Sequence, residues 1–239
     1  GDAISKEWKM APDGGHINYM TFARYFIPQF VEEEKVLYLD SDVIVTKPLD
    51  ELFELELGNH LVAAAKIVYG LEDRFNAGVL LINNKKWQAE NIRQKLIDLT
   101  EKEHENVVEG DQSILNMLFH DCYKDLDWNY NFQIGFDYGA AAHIHEFIFQ
   151  ISLNPLPAIL HFLSQDKPWN QFSVGRLREV WWHYNLLEWS EVVKHWSEQG
   201  LCYTVEKYLP KFHCVNLTNS WNVEKIDYLI QKLPNVHFH

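Results

Sequence analysis

Val36-Leu37-Tyr38-Leu39 is an unbroken apolar run that ends in two carboxylates, Asp40 and Asp42, one residue apart. A run this short predicts a buried β-strand rather than a free-standing helix. Val43-Ile44-Val45 predicts a second strand and residues 61–66 a third. Residues 75–83 predict a fourth, opened by the small Asn76-Ala77-Gly78 step, and residues 157–162 a fifth that leads into a turn at 164–169. Residues 18–30 place Tyr19, Phe22, Ala23, Phe26 and Ile27 on one helical face, with Pro28 ending or bending it. A short helix is expected around Leu52-Phe53. An exposed helix is expected over residues 85–104, with Trp87, Ile92, Leu96 and Leu99 inward. Gly110-Asp111-Gln112 opens a helix carrying Ile114, Leu115, Leu118 and Phe119, and Asp111 stands at its cap or first turn. Residues 1–16 read as irregular, residues 123–136 as an aromatic, Asn-rich loop, and residues 176–196 as a Trp-heavy helical segment. Beyond a composition break near Gly200, residues 212–217, 223–233 and 236–238 read as strand, helix and strand, the start of a second α/β unit. The chain as a whole is therefore expected to be α/β.

The Asp40–Asp42 pair is the first candidate for chemistry. Side chains alternate along a strand, so acids at i and i+2 on a straight strand share a face. At the C-terminal end of a strand in an open α/β sheet, where ligands bind, both could face a cation. The same two acids also suit a turn cluster before the next element.

Charge and cysteine content narrow the function classes. The net charge is −13, which argues against a nucleic-acid surface, since that needs a basic stripe. It leaves room for an anionic small substrate, because a bound divalent cation supplies local positive charge. Cys122, Cys202 and Cys214 have no metal-ligand spacing and are odd in number, so a reducing, cytoplasmic setting is expected. No apolar run reaches transmembrane length and no signal peptide is visible. The chain ends inside a strand-like pattern at Val-His-Phe-His, so it is expected to be part of a longer protein.

Five segments, in this order, carry a resemblance: Phe22-Ala-Arg24-Tyr, Leu37-Tyr-Leu-Asp40-Ser41-Asp42, Phe75-Asn76-Ala77-Gly78-Val79, Glu109-Gly-Asp111-Gln112 and His161-Phe-Leu-Ser-Gln-Asp-Lys167-Pro-Trp169. Together they resemble glycosyltransferase family 8, retaining enzymes that include bacterial lipopolysaccharide galactosyltransferases and glycogenin. The resemblance covers roughly residues 16–170, and five ordered motifs are far more specific than one. It implies a GT-A-like nucleotide-diphospho-sugar transferase fold, a Rossmann-like mixed sheet flanked by helices. The catalytic domain would be residues 1–199, and residues 200–239 would begin a C-terminal Rossmann-like unit.

The resemblance also implies roles. Asp40, Asp42 and His161 would hold Mn2+ (or Mg2+), for which hard oxygen ligands are suited. Lys167 would bind the diphosphate of a UDP-hexose. Arg24, Ser41, Asn76, Ala77, Gly78 and Asp111 would contact the donor, and Gln112, with Asp111, would serve catalysis beside the anomeric carbon. A neutral amide is a poor nucleophile, so a double-displacement carboxylate site is not implied. The acceptor would be a glycan or glycosylated protein.

Three departures from the family pattern stand out. The opening strand–helix units of the uracil and ribose pocket are expected before Gly1, Ser164 replaces the usual turn glycine, and residues 200–239 lie outside the likeness. For these last residues the nearest likeness is to two-domain streptococcal glycosyltransferases that extend sugars on serine-rich adhesins.

Two other readings compete. A strand ending Asp-x-Asp also opens haloacid-dehalogenase-like phosphatases, but Leu115 and Asn116 stand where a later acid is needed. A catalytically inactive, glycan- or partner-binding module is the non-enzyme alternative. Trp181, Trp182, Trp189 and Trp196 are expected either to pack between domains or to form a sugar-stacking acceptor platform.

Overall fold

The computed structural model describes residues 19–70, 72–107, 109–135, 150–163, 167–169 and 176–186. Its strands in chain order are β1 (Lys35–Leu39), β2 (Val43–Val45), β3 (Val62–Ala64), β4 (Val79–Asn83), β5 (Tyr123–Asp125), β6 (Phe132–Ile134) and β7 (Ile159–Phe162). Its helices are α1 (Ile27–Phe30), α2 (Asp50–Glu54), α3 (Asn84–Ala89), α4 (Ile92–Glu103), α5 (Asp111–Phe119) and α6 (Arg178–Leu186), and a 3-10 helix over Tyr19–Phe26 runs directly into α1. The chain divides into two compact units. The first holds the described residues up to Asp40 together with Leu49–Tyr130. The second holds Ser41–Pro48 and the described residues from Asn131 onward.

The first unit is built on a four-stranded mixed sheet in the order β1-β4-β3-β5. β1 and β4 pair antiparallel, with Leu39 opposite Val79 and Lys35 opposite Asn83. β3 is antiparallel to β4 and parallel to β5. Val79, Leu80, Leu81 and Ile82 are fully buried, so both faces of β4 are covered. That is why its sequence is continuously apolar instead of alternating. Each such aliphatic side chain contributes about 2 kcal/mol by leaving water. Phe22, Tyr25, Phe75, Trp87, Ile92, Leu96, Ile114 and Phe119 join Leu80 and Ile82 in one core. Trp87 buries its ring there and donates its indole N–H to the Leu61 carbonyl at 3.0 Å.

Two local expectations are corrected in this unit. The single helix expected over 85–104 is two helices, α3 and α4. Asn91, between them, has φ +50°, a left-handed conformation that Asn tolerates better than most residues. The backbone N–H of Asn91 closes α3 on the Gln88 carbonyl at 3.2 Å, and α4 restarts at Ile92. Residues 123–136 are also not one loop. They contain β5, a 3-10 turn at Trp128–Tyr130, and β6.

The second unit holds a three-stranded sheet in the order β2-β7-β6. β2 is antiparallel to β7, with Val43 opposite His161. β6 is parallel to β7, with Gln133 opposite His161. β7 is buried throughout, as a central strand must be. In α6, Arg178 donates from Nε to the Pro168 carbonyl at 2.8 Å, which ties the helix to the segment after β7.

The Asp40-Ser41-Asp42 step lies between β1 and β2 and is itself a turn, so strand alternation does not govern how the two acids point. Expectations for residues 1–16, for Ser164, for Trp189 and Trp196, and for residues 200–239 lie outside the described residues. No helix among the described residues is long and apolar enough to cross a membrane.

Candidate active site

In the first unit, α5 presents its first turn to the entry of β4. Gly110 precedes it with φ +57° and ψ −127°, a backbone state that glycine adopts without strain. Asp111 and Gln112 are therefore the first two helical residues, and Asp111 is no exposed cap: it is buried at 3%. Gln112 accepts at Oε1 from the Ala77 backbone N–H at 2.9 Å and from Asn76 Nδ2 at 3.1 Å. Asn76 in turn accepts at Oδ1 from the Gly78 N–H at 3.0 Å. The carbonyl end of Gln112 is thus committed to the strand entry, which leaves its amide nitrogen as the remaining hydrogen-bonding end. One helical turn on, Asn116 accepts from the Phe75 N–H and donates from Nδ2 to the Phe75 and Gln112 carbonyls, each at 2.9 Å. Two amide side chains on one face of α5 therefore fix the whole Phe75-Asn76-Ala77-Gly78 step.

Arg24 ties this step to two acids. It is buried at 6% and donates from Nη1 to the Ala77 carbonyl. Its Nη2 donates to Asp40 Oδ1 at 3.2 Å. Its Nε lies 2.6 Å from Asp111 Oδ2, an ion pair, while the Nε–H is directed at the Thr21 carbonyl at 3.2 Å. Charge rather than an aligned hydrogen bond thus joins Arg24 to Asp111, whose Oδ2 has no hydrogen-bond partner. Burial, seconded by the charge of Asp40 and opposed by Arg24, pushes the Asp111 carboxyl up to about 6. The guanidinium also sits 4.3 Å from the centre of the Tyr38 ring, and Tyr38 donates its phenolic proton to Asp40 Oδ1 at 2.6 Å. Burial raises the Tyr38 phenol well above its usual range, so it stays a donor at neutral pH. Asp40 is further anchored by its own N–H, which donates to the Gly78 carbonyl at 2.8 Å.

The second unit builds a separate group around Asp42. The β2–β7 register brings His161 to it, and the Phe162 N–H donates to the Asp42 carbonyl at 3.0 Å. His161 Nε2 lies 3.3 Å from Asp42 Oδ1, and Lys167 Nζ donates to Asp42 Oδ2 at 2.5 Å. Lys167 also donates to the Phe162 carbonyl at 2.5 Å. Burial would raise the Asp42 carboxyl, but His161 and Lys167 outweigh it and hold the group well below the usual carboxylate range. His161 is itself buried at 2%, with Nδ1 3.0 Å from Asn131 Oδ1. Asp42 and His161 each offer one ligand atom with which a metal ion could be held.

Beside Lys167 the indoles of Trp169, Trp181 and Trp182 pack in sequence, with centroids 5.3 Å and then 4.9 Å apart. Trp169 is 41% exposed. Lys167 Nζ lies 6.0 Å from the Trp169 ring centre. Ser41 is exposed at the turn between the two acids.

The site residues singled out in the sequence and described here, Ser41 apart, fall into one of these two groups. Arg24, Asp40, Asn76, Ala77, Gly78, Asp111 and Gln112 lie in the first unit, and Asp42, His161 and Lys167 in the second. Three participants were not singled out: Tyr38, Asn116 and Asn131. Tyr38 was read as part of an apolar run, yet a phenol two residues before an acid carries its own hint. Asn116 stands four residues after Gln112, one turn along the same helical face, so the spacing held a signal. Asn131 gives no local sign, because its partner is 30 residues away.

The profile of glycosyl transferase family 8 matches residues 4–173. The glycosyltransferase GlyE of Streptococcus pneumoniae serotype 4 is 67% identical over 224 residues, covering 94% of this chain and 55% of its own length. The crystal structure of GlyE aligns with a TM-score of 0.71 at 65% identity, over 93% of this chain and 57% of that one. A crystal structure of the galactosyltransferase LgtC, in complex with donor and acceptor sugar analogs, aligns with a TM-score of 0.56 at 27% identity, over 80% of this chain and 72% of that one. The chain spans little more than half the length of GlyE. The mixed sheets, the flanking helices and these neighbours together give a GT-A fold. On the profile match and on identity at this level, the chain belongs to glycosyltransferase family 8.

Proposed function

We propose that this chain carries metal-dependent transfer of a hexose, galactose or glucose, from a UDP-sugar to a glycan or glycosylated protein, with retention of configuration. One observation carries the reading. In a family 8 chain, the Asp42 carboxylate stands between His161 Nε2 at 3.3 Å and Lys167 Nζ at 2.5 Å. An ionised carboxylate, an imidazole and an ammonium at one strand end suit a cation and a diphosphate together. The LgtC complex with donor and acceptor sugar analogs supports the substrate class.

In this reading Asp40, Asp42 and His161 hold Mn2+ (or Mg2+), with Ser41 between the two acids. When bound, the ion supplies Lewis-acid stabilisation of the departing diphosphate. Lys167 adds a compact positive charge to the same phosphates. Arg24, Asn76, Ala77, Gly78 and Asp111 orient the hexose, and Ser41 contacts the donor from the turn. Gln112 sits against the anomeric centre, where its amide contributes a dipole or positions the acceptor. The acceptor hydroxyl attacks on the face that the diphosphate leaves. Its oxygen bonds to the anomeric carbon as the sugar–phosphate bond breaks, and its proton passes to the leaving phosphate oxygen. Residues 1–199 form the catalytic domain, residues 200–239 begin a C-terminal Rossmann-like unit, and the site of action is cytoplasmic.

Calorimetry of UDP binding by the full-length protein, with and without Mn2+, tests the proposal. Asp42→Ala is expected to abolish the metal-dependent component. An unchanged affinity in that variant would remove the basis of the assignment.

A further inference from the structure

We propose that Arg74 is a positioning residue for hexose transfer: through its ion pair with Glu109 it holds the start of α5, and with it Gln112 and Asp111, against the Asn76-Ala77-Gly78 step. The inference rests on reading Gln112 and Asp111 as the residues beside the reacting sugar.

Arg74 stands one residue before Phe75, and Glu109 one residue before Gly110. The Arg74 backbone is fixed, because its carbonyl accepts from the Ile67 N–H at 2.8 Å. Its guanidinium has two carboxylate partners. Nη2 donates to Glu72 Oε2 at 2.6 Å, and Nη1 donates to Glu109 Oε2. Glu72 is two residues away on the same loop, so it orders the guanidinium toward a carboxylate 35 residues away. An isolated half-buried ion pair contributes little, because it must order two long side chains by itself. Here one of the two is already held.

The start of α5 thus meets the strand entry at three levels. Asn116 holds Phe75, Gln112 holds Asn76 and Ala77, and Glu109 holds Arg74. The first two are hydrogen bonds from the helix itself. The third lies on the other side of Gly110, whose φ of +57° is a state that glycine reaches freely and also leaves freely. Asp111 follows at once, with a carboxyl whose burial works against keeping this turn docked. Helix ends fray, and nothing in the glycine resists it. The ion pair restrains the chain there. Its effect reaches Gln112 through one hydrogen bond, since the Gln112 N–H donates to the Glu109 carbonyl at 3.2 Å.

Two measurements on the full-length protein with Mn2+ test this. Hydrogen exchange of the Ala77 N–H reports the bond to Gln112 Oε1. Hydrolysis of UDP-galactose or UDP-glucose, whichever the wild type turns over faster, reports the site without an acceptor. In Arg74→Ala and in Glu109→Gln, Ala77 exchange is expected to quicken about fivefold. The kcat for hydrolysis is expected to fall about five- to tenfold, with KM for the donor within about twofold of wild type. At about 1 M NaCl the gap in exchange between wild type and Arg74→Ala is expected to close, because a half-buried pair is screened. Glu109→Arg alone is expected to be the worst variant, and adding Arg74→Glu to it is expected to restore most of the loss in both measurements. Unchanged Ala77 exchange in Arg74→Ala overturns the proposal. Faster exchange with an unchanged kcat overturns it too, and places the fault in the role given to Gln112. Turnover of neither donor would sink the proposed function itself, while the exchange rates would still judge the clamp.

Discussion

Tyr38 donates its phenolic proton to Asp40 Oδ1 across 2.6 Å. The same ring carries the Arg24 guanidinium over its face at 4.3 Å. One residue of the apolar run thereby orients a carboxylate from below while stacking on the cation that pairs with it. Tyr38→Phe keeps the ring and removes only the hydroxyl. The expected loss is about 1 kcal/mol of stability, the net worth of one such hydrogen bond. On the proposed metal reading, Mn2+ affinity is expected to fall about tenfold, because the phenol no longer helps Arg24 to orient Asp40 Oδ1. Urea unfolding and metal titration measure the two effects separately. If affinity holds while stability drops, the Tyr38 hydroxyl serves the fold and not the metal.

Asp111 provides a pH test. Its carboxyl is raised from the ordinary 3.8 to about 6, burial being the main cause. The native state therefore holds a proton that the unfolded chain has released between about pH 4 and pH 6. The protonated group stabilises the fold fully below this window, and the contribution is lost as pH rises through it. A displacement of this size corresponds to about 3 kcal/mol. Asp111→Asn has no such titration. Its stability relative to wild type is expected to improve from pH 4 to pH 6.5, measured as the difference in urea midpoints. A constant difference across that range would place the Asp111 carboxyl at its ordinary value.

Asn116 clamps the backbone of a residue 41 positions earlier, meeting both polar groups of Phe75. Asn116→Ala strands a buried N–H and a buried carbonyl, and the expected cost is about 2–3 kcal/mol. Asn116→Asp is expected to be worse despite its similar shape, because a carboxylate oxygen then faces the Phe75 and Gln112 carbonyls. The ranking of the two melting temperatures checks this, and a more stable Asp variant would contradict the geometry.

Gln112 has two ends with two jobs. Gln112→Glu preserves an acceptor for the Ala77 N–H and Asn76, and replaces the amide nitrogen with a charged oxygen. Gln112→Ala removes both. The Ala variant is expected to lose about 1–2 kcal/mol of stability and the Glu variant less, while both slow hexose transfer. UDP affinity is expected to stay within a few-fold of wild type in both, since the proposed function sets Gln112 at the sugar and away from the nucleotide. Parallel loss of UDP affinity and rate would contradict that placement.

These relationships were unevenly visible in the sequence. β1, β4 and β7 were legible because aliphatic runs with polar exits have few other homes. β5 and β6 were not, since each is three residues long and β6 is interrupted by Gln133, a fully buried amide. Helix periodicity carried straight across Asn91, because a single left-handed residue leaves Trp87, Ile92 and Leu96 all buried. The Asp40, Asp111 and Arg24 types were readable as candidates. Their pairing was not, because it depends on the closure of segments 16 and 87 residues apart from Arg24, and no local pattern encodes that.

The antiparallel pairing of β2 with β7 has a consequence for which changes of length the chain can accept. Successive residues of β7 face opposite ways, so inserting or deleting one residue there would carry the imidazole to the far side of the sheet while every ladder bond could re-form. Growth of the exposed turn at Glu105 and Asn106, between α4 and α5, meets no such barrier, since closing a longer loop costs only about 0.6 kcal/mol per doubling. Descendants of this chain are thus free to acquire new surface in such a turn, but not a shift of one position within the four residues of β7.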